Sequence, residues 1–187
     1  MKIKDILVTP NIGRDIGPFI SGVGKYIHLN YDFYAHIHTK KAVHSDGDMA
    51  QEWREFLISN LLGNSGINMM DKIISYFLKD KNLGLVFPDD PNCCSWSLNY
   101  QIAKNFGSKM GLKYFPEHFN FPIGTMFWAR KNALSPLFDL NLDWDSYPKE
   151  PLPYDGTVLH SIERLIPFIN ESQGFEYSVT NLPTITR

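Results

Sequence analysis

His36 and His38 stand two apart in the stretch YDFYAHIHTKK, and the pair Lys40 and Lys41 follows directly. On an extended chain, residues two apart point the same way. The two imidazoles therefore either ligate a metal together or act separately, one as a buried hydrogen-bonding group and one lining a cleft. No acidic third ligand stands at a recognisable spacing, so no metal site is expected. The lysines, just past a strand end, either clamp a diphosphate or are solvated surface groups.

Two further stretches carry chemistry. NIGRDIGPF puts Asn11, Gly13, Arg14, Asp15, Gly17 and Pro18 into one turn-prone segment. It is neither a G-x-G-x-x-G motif nor a P-loop. Backbone N–H groups opening a helix can still receive an anion, and Arg14 can fork onto phosphate or carboxylate. Asp15 either joins that site or simply caps the helix. YDGTVLHSIERL sets Asp155 near a helix start, with His160 and Glu163 three apart on the helix and Arg164 beside them. A carboxylate at the mouth of a cleft can take a proton from a hydroxyl. Helix capping explains Asp155 equally well, and an ion pair explains Glu163 with Arg164.

The elements that must hold these residues follow from periodicity. IKDILVTP reads as a short strand, and apolar positions from Ile16 to Ile27 recur at helical spacing. In YDFYAHIHTKK, Phe33, Ala35 and Ile37 face one way, while Tyr34, His36 and His38 face the other. DGDMAQEWREFLISNLLG and GINMMDKIISYFLKDKNLG read as capped helices, LGLVFP as a buried strand, and SWSLNYQIAKNFGSKMG as a third helix. FPIGTMFWAR reads as a strand entered through Pro122 and Gly124. KNALSPLFDL is a short helix or turn, and a Pro-rich acidic loop leads to the amphipathic helix GTVLHSIERLIPFINES. The tail FEYSVTNLPTITR supplies a last strand. Strands alternating with helices predict one α/β domain over residues 1–187, a layered α/β/α sheet. Ligands in such sheets bind beyond the carboxyl ends of the strands, so the polar turns are expected to converge on one edge.

Composition narrows the function classes. The chain has 187 residues, 43% hydrophobic and 14% aromatic, with a net charge of −2. That is enough to bury a core, and it lacks the basic footprint of a nucleic-acid binder. Cys93 and Cys94 are adjacent and without other cysteines, which predicts reduced thiols and a cytoplasmic location. No apolar run reaches the ~20 residues that span a bilayer, and no secretory leader is apparent. Any membrane association is expected to be peripheral.

Taken in order, NIGRDIGPF, YDFYAHIHTKK, WREFLISNLLG, LGLVFP, FPIGTMFWAR and DGTVLHSIERL resemble the rhamnan synthesis protein F family, from Asn11 to about Leu165. The resemblance implies a role in bacterial rhamnose-containing polysaccharide or lipopolysaccharide assembly. It implies transfer of rhamnose or a related sugar from a nucleotide diphosphate sugar to a saccharide or lipid-linked acceptor. A further likeness to GT-A glycosyltransferases would place Asp155 as catalytic base. Asn11, Gly13, Arg14, Asp15, His38, Lys40 and Lys41 would lie on the donor diphosphate, and Gly124, Thr125, Trp128 and Arg130 beside the sugar and acceptor. That class usually ends the corresponding strand in two metal-binding aspartates. Here His and Lys stand in their place, which suits a clamp without a divalent cation. GT-A folds also open with a strand–helix–strand unit gripping the nucleotide base, whereas one short strand precedes Asn11. On this likeness the unit is supplied elsewhere or the member is shortened. The rival reading is a saccharide- or partner-binding module that does no chemistry.

Overall fold

A central mixed sheet, flanked by helices on both faces, organises the computed structural model, which describes residues 3–24, 26, 31–39, 47–91 and 95–182. Lys40, Lys41, Cys93 and Cys94 lie outside the described residues. The strands are β1 (Phe33–His36), β2 (Leu83–Pro88), β3 (Phe127–Arg130) and β4 (Glu176–Thr180), in spatial order β1-β3-β2-β4. β3 runs antiparallel to both β1 and β2, and β2 is parallel to β4. The helices are α1 (Gly47–Leu62), α2 (Met69–Lys79), α3 (Tyr100–Ser108), α4 (Ser135–Asp139) and α5 (Val158–Ser172), with a π-helical segment at Pro18–Val23.

Alternation along the strands explains the two layers. Phe127 and Ala129 of β3 pack with Leu85 and Phe87 of β2 against Ile162, Leu165, Ile166 and Ile169 of α5 and the π-helical Phe19 and Ile20. Met126 and Trp128 point to the opposite face, onto Phe56, Leu57 and Leu61 of α1 and Ile73 and Phe77 of α2. Residues on both faces are therefore apolar, as expected of a sheet covered twice. α2 starts where Asn68 Oδ1 accepts the Asp71 N–H at 3.1 Å, an N-cap.

The first expected strand is not one. Residues 3–10 pair with no strand among the described residues, and Ile3, Ile6 and Val8 are 77%, 83% and 91% exposed. Alternating apolar residues favour a pleated surface only where a neighbouring strand supplies the hydrogen bonds. The expected helix after Asp15 is present: helical turns cover residues 16–24 and 26, opened by the Gly17 N–H donating to the Gly13 carbonyl at 2.9 Å, and Pro18–Val23 within them is π-helical.

Strand direction decides where the site lies. β1, β2 and β4 point the same way, so His36 and Pro88 end at one edge of the sheet. β3 runs the other way and begins at that edge, with Phe127 opposite His36. Its entrance turn, Ile123–Thr125, therefore sits beside the ends of its neighbours.

Candidate functional site

Three loops meet at this edge and enclose a cleft of about 110 Å³ lined by Arg14, Asp15, Gly124, Thr125, His160 and Glu163, with Ile16 and Leu159 behind them. The first loop is NIGRD. Gly13 has φ +75, and a Cβ there would lie 2.9 Å from both the Gly17 Cα and the Tyr147 ring. Only glycine meets both demands without strain. The tight turn carries Arg14, itself at φ 52, out over the cleft. Arg14 Nε lies 3.5 Å from Glu150 Oε1, and its Nη1 lies 3.4 Å from His160 Nε2.

The second wall is the entrance turn of β3. Gly124 has φ 70, and its N–H donates to Glu163 Oε1 at 2.6 Å. The Gly124 carbonyl meets His38 Nε2 at 2.7 Å, and the Thr125 carbonyl meets His36 Nδ1 at 2.5 Å. Carbonyls only accept, so each imidazole donates through the named nitrogen. The histidines thus act as braces from β1 to the turn. His38 Nε2 also lies 3.5 Å from Asp15 Oδ2, which joins the NIGRD loop to the same assembly. Burial pushes His36 down to about 4, against the opposing influence of the Asp15 charge, so it is neutral at ordinary pH. Among the described residues no group of three or more His, Cys, Asp and Glu could hold a metal ion.

The third wall is the start of α5. Thr157 caps it, its Oγ1 accepting the His160 N–H at 3.4 Å, and the same oxygen lies 2.8 Å from His160 Nδ1. A guanidinium can only donate, so His160 Nε2 accepts from Arg14 and the ring proton sits on Nδ1, facing Thr157. Glu163, one turn further, shares the face of His160.

Asp155 stands behind His160 rather than in the cleft wall. Its Oδ1 accepts from Asn99 Nδ2 at 2.7 Å and lies 3.9 Å from both His160 Nδ1 and Arg164 Nη2. Its Oδ2 accepts the Leu98 N–H at 3.4 Å. Burial alone would raise its pKa. Hydrogen bonds from Asn99, Ser97 and the Gly156 backbone, with the Arg164 charge, outweigh that and hold it at about 2. Asp155 is thus an anion whose oxygens are already occupied, lying within electrostatic reach of His160 and Arg164.

Of the residues singled out in the sequence, Arg14, Asp15, His38, Gly124 and Thr125 meet at one place. Gly13 shapes it, and Asn11 lies on the exposed approach. Trp128 and Arg130 do not belong there. The buried Trp128 indole N–H donates to the Leu61 carbonyl at 3.0 Å, closing the end of α1. Arg130, at the far end of β3, donates to the carbonyls of Leu83, Phe77 and Asp80 at 3.0, 2.8 and 2.9 Å. Both side chains are taken up by the last carbonyls of helices and by packing. His160 and Glu163 carry more of the site than their sequence context alone indicates. Their three-residue spacing behind an N-cap is the signal that points to them.

Comparison with known proteins gives one consistent result. The family model for rhamnan synthesis protein F matches residues 1–175. The uncharacterized protein WxcX of Xanthomonas campestris pv. campestris strain B100 is 33% identical over 159 residues, covering 83% of this chain and 22% of its own. WxcX of strain ATCC 33913 gives the same identity and coverage. The chain spans about a fifth of the length of these curated relatives. No solved structure matches.

Proposed function

This chain belongs to the rhamnan synthesis protein F family, and from that premise we propose that it transfers a sugar, rhamnose or a related deoxyhexose, from a nucleotide diphosphate sugar to a saccharide acceptor. The observation that carries the reading is the meeting of Arg14 with His160, 146 positions apart, over a cleft where β1, β3 and α5 converge. A cleft of about 110 Å³ takes one small group. The reacting centre would sit in it and the rest of the donor across its rim.

The roles follow from the chemistry of each group. The acceptor hydroxyl oxygen attacks the anomeric carbon, the bond from that carbon to the diphosphate oxygen breaks, and its electron pair leaves with the nucleoside diphosphate. The hydroxyl proton passes to His160 Nε2. Its 3.4 Å contact with Arg14 is long, and the Arg14 side chain is 40% exposed, so the guanidinium can turn to the departing phosphate. Asp155, expected from the sequence to be the base, is held at about 2 with its oxygens occupied. It serves better as the nearby anion that stabilises His160 once protonated, 3.9 Å from Nδ1. Gly124 and Thr125 form the floor. No divalent cation is invoked.

Incubating the chain with nucleoside diphosphate rhamnose and a rhamnose-containing oligosaccharide, with product mass as the readout, tests the proposal. An acceptor heavier by one deoxyhexose is expected. No heavier product with any nucleotide sugar of a broad panel would overturn it. A second reading, a saccharide-binding unit without chemistry, is favoured by a larger aromatic cleft next to the first.

A further inference from the structure

At the Ser97–Asn99 turn lies an open cleft of about 420 Å³, lined by Ser95, Trp96, Ser97, Tyr100, Phe115 and Glu117. Its size falls within the range of small-ligand sites, roughly 300–1,000 Å³. We propose that it is the acceptor subsite and seats a pyranose unit of the saccharide chain. The inference rests on the transfer reading above for the identity of the saccharide, but its binding claim stands separately.

The lining selects for a neutral, hydroxyl-rich ring. Trp96 is locked: its indole N–H donates to the Pro116 carbonyl at 2.6 Å, and its ring lies 4.3 Å from Phe119 and 5.5 Å, stacked, from Phe168. It forms a rigid base with no polar atom left to offer. Tyr100, 46% exposed and 6.2 Å from Trp96, presents a ring to solvent. The C–H face of a pyranose is apolar and slightly positive, which complements the negative face of an aromatic ring. Around these rings stand Ser95, Ser97 and the Glu117 carboxylate, which can exchange hydrogen bonds with sugar hydroxyls. Among the described residues no lysine, arginine or histidine joins the lining, so a phosphate or nucleotide is disfavoured there.

The two clefts share supports. Ser97 hydrogen-bonds Asp155, and Asp155 lies 3.9 Å from His160. Arg164 donates to the Ser95 carbonyl at 3.2 Å and to the His160 carbonyl at 3.0 Å. Ser97 has φ 50, the left-handed region that a non-glycine residue avoids unless its surroundings hold it there. The Asp155 contact supplies that hold. A sugar resting on Tyr100 is thereby placed in fixed register with the proposed proton acceptor.

Saturation-transfer NMR with a rhamnose trisaccharide, on the wild-type chain and on Tyr100→Ala, Tyr100→Leu and Glu117→Gln, tests the subsite. Saturation of aromatic protons is expected to reach the sugar C–H protons. Tyr100→Ala and Tyr100→Leu should each weaken binding about fivefold, since leucine keeps bulk but not the aromatic face. Glu117→Gln should weaken it by a smaller factor, with nucleoside diphosphate binding unchanged in all three. No saturation transfer, or wild-type affinity in both Tyr100 variants, would overturn the subsite. Sugar transfer without binding here would overturn the subsite and leave the transferase reading standing. Tyr100-dependent binding with no transfer to any acceptor would support the subsite and remove the transferase reading.

Discussion

Arg14 Nη1 lies 3.4 Å from His160 Nε2, although the two residues are 146 positions apart. The contact ties the first glycine turn of the chain to the first turn of its last long helix. Because the guanidinium only donates, it also fixes which imidazole nitrogen carries the lone pair. A cation and an imidazole lone pair are thereby set side by side, the pairing that the proposed transfer calls for.

Arg14→Ala should weaken nucleoside diphosphate binding by about tenfold or more, since a hydrogen bond to a charged group contributes about 1.5–3 kcal/mol. Arg14→Lys should recover only part of it, because an ammonium lacks the planar fork. Titration calorimetry reads both. Unchanged affinity in Arg14→Ala would take Arg14 off the donor.

Gly13→Ala should destabilise the fold by about 2 kcal/mol or more, combining a left-handed backbone with a close approach. The added Cβ would lie 2.9 Å from the Gly17 Cα and the Tyr147 ring. Urea unfolding measures the loss. A neutral substitution would mean that the turn yields more readily than the packing implies.

Acid should loosen the β3 entrance turn through His36. Its pKa is about 4 when folded, against an ordinary value of 6.5, so the unfolded chain binds the extra proton first. His36 contributes stability above about 6.5 that is lost as pH falls towards 4, at most on the order of 3 kcal/mol. Urea melts at pH 7 and pH 5 should differ, and His36→Asn, which keeps a donor for the Thr125 carbonyl, should flatten the difference. An equal slope in the variant would assign the effect to other groups.

Arg130→Ala should cost stability, about 1–3 kcal/mol for unsatisfied helix-end carbonyls, while leaving transfer per folded molecule unchanged. Loss of transfer with wild-type stability would return Arg130 to the acceptor side.

Much of the fold is legible in the sequence. β2, α2 and α5 follow from their apolar patterning, and Leu83–Pro88 is buried along its whole length, but the cap of α5 is Thr157 and not the Asp155 that its type and position suggest. NIGRD can be read as a tight turn from its glycines, whereas Gly124 is singled out only through the GT-A likeness. Trp128 and Arg130 cannot be set aside on sequence alone, because periodicity predicts a strand but not its direction. Antiparallel β3 enters at the site edge and carries those residues away from it. Segment 3–10 misleads for a related reason, since a strand needs a partner that local sequence does not name. Asp155 lies next to the cleft, yet its oxygens are occupied by Asn99 and Leu98, whose approach only the tertiary fold provides.

On the proposed reading His160 takes the acceptor proton in a sugar transfer at this cleft. The direct measurement is kcat for transfer from nucleoside diphosphate rhamnose by the wild-type chain and by His160→Gln, with nucleoside diphosphate affinity measured alongside. Loss of a positioned base predicts a fall of about 10²–10⁴-fold in the variant with affinity retained. A wild-type rate in His160→Gln would contradict the account.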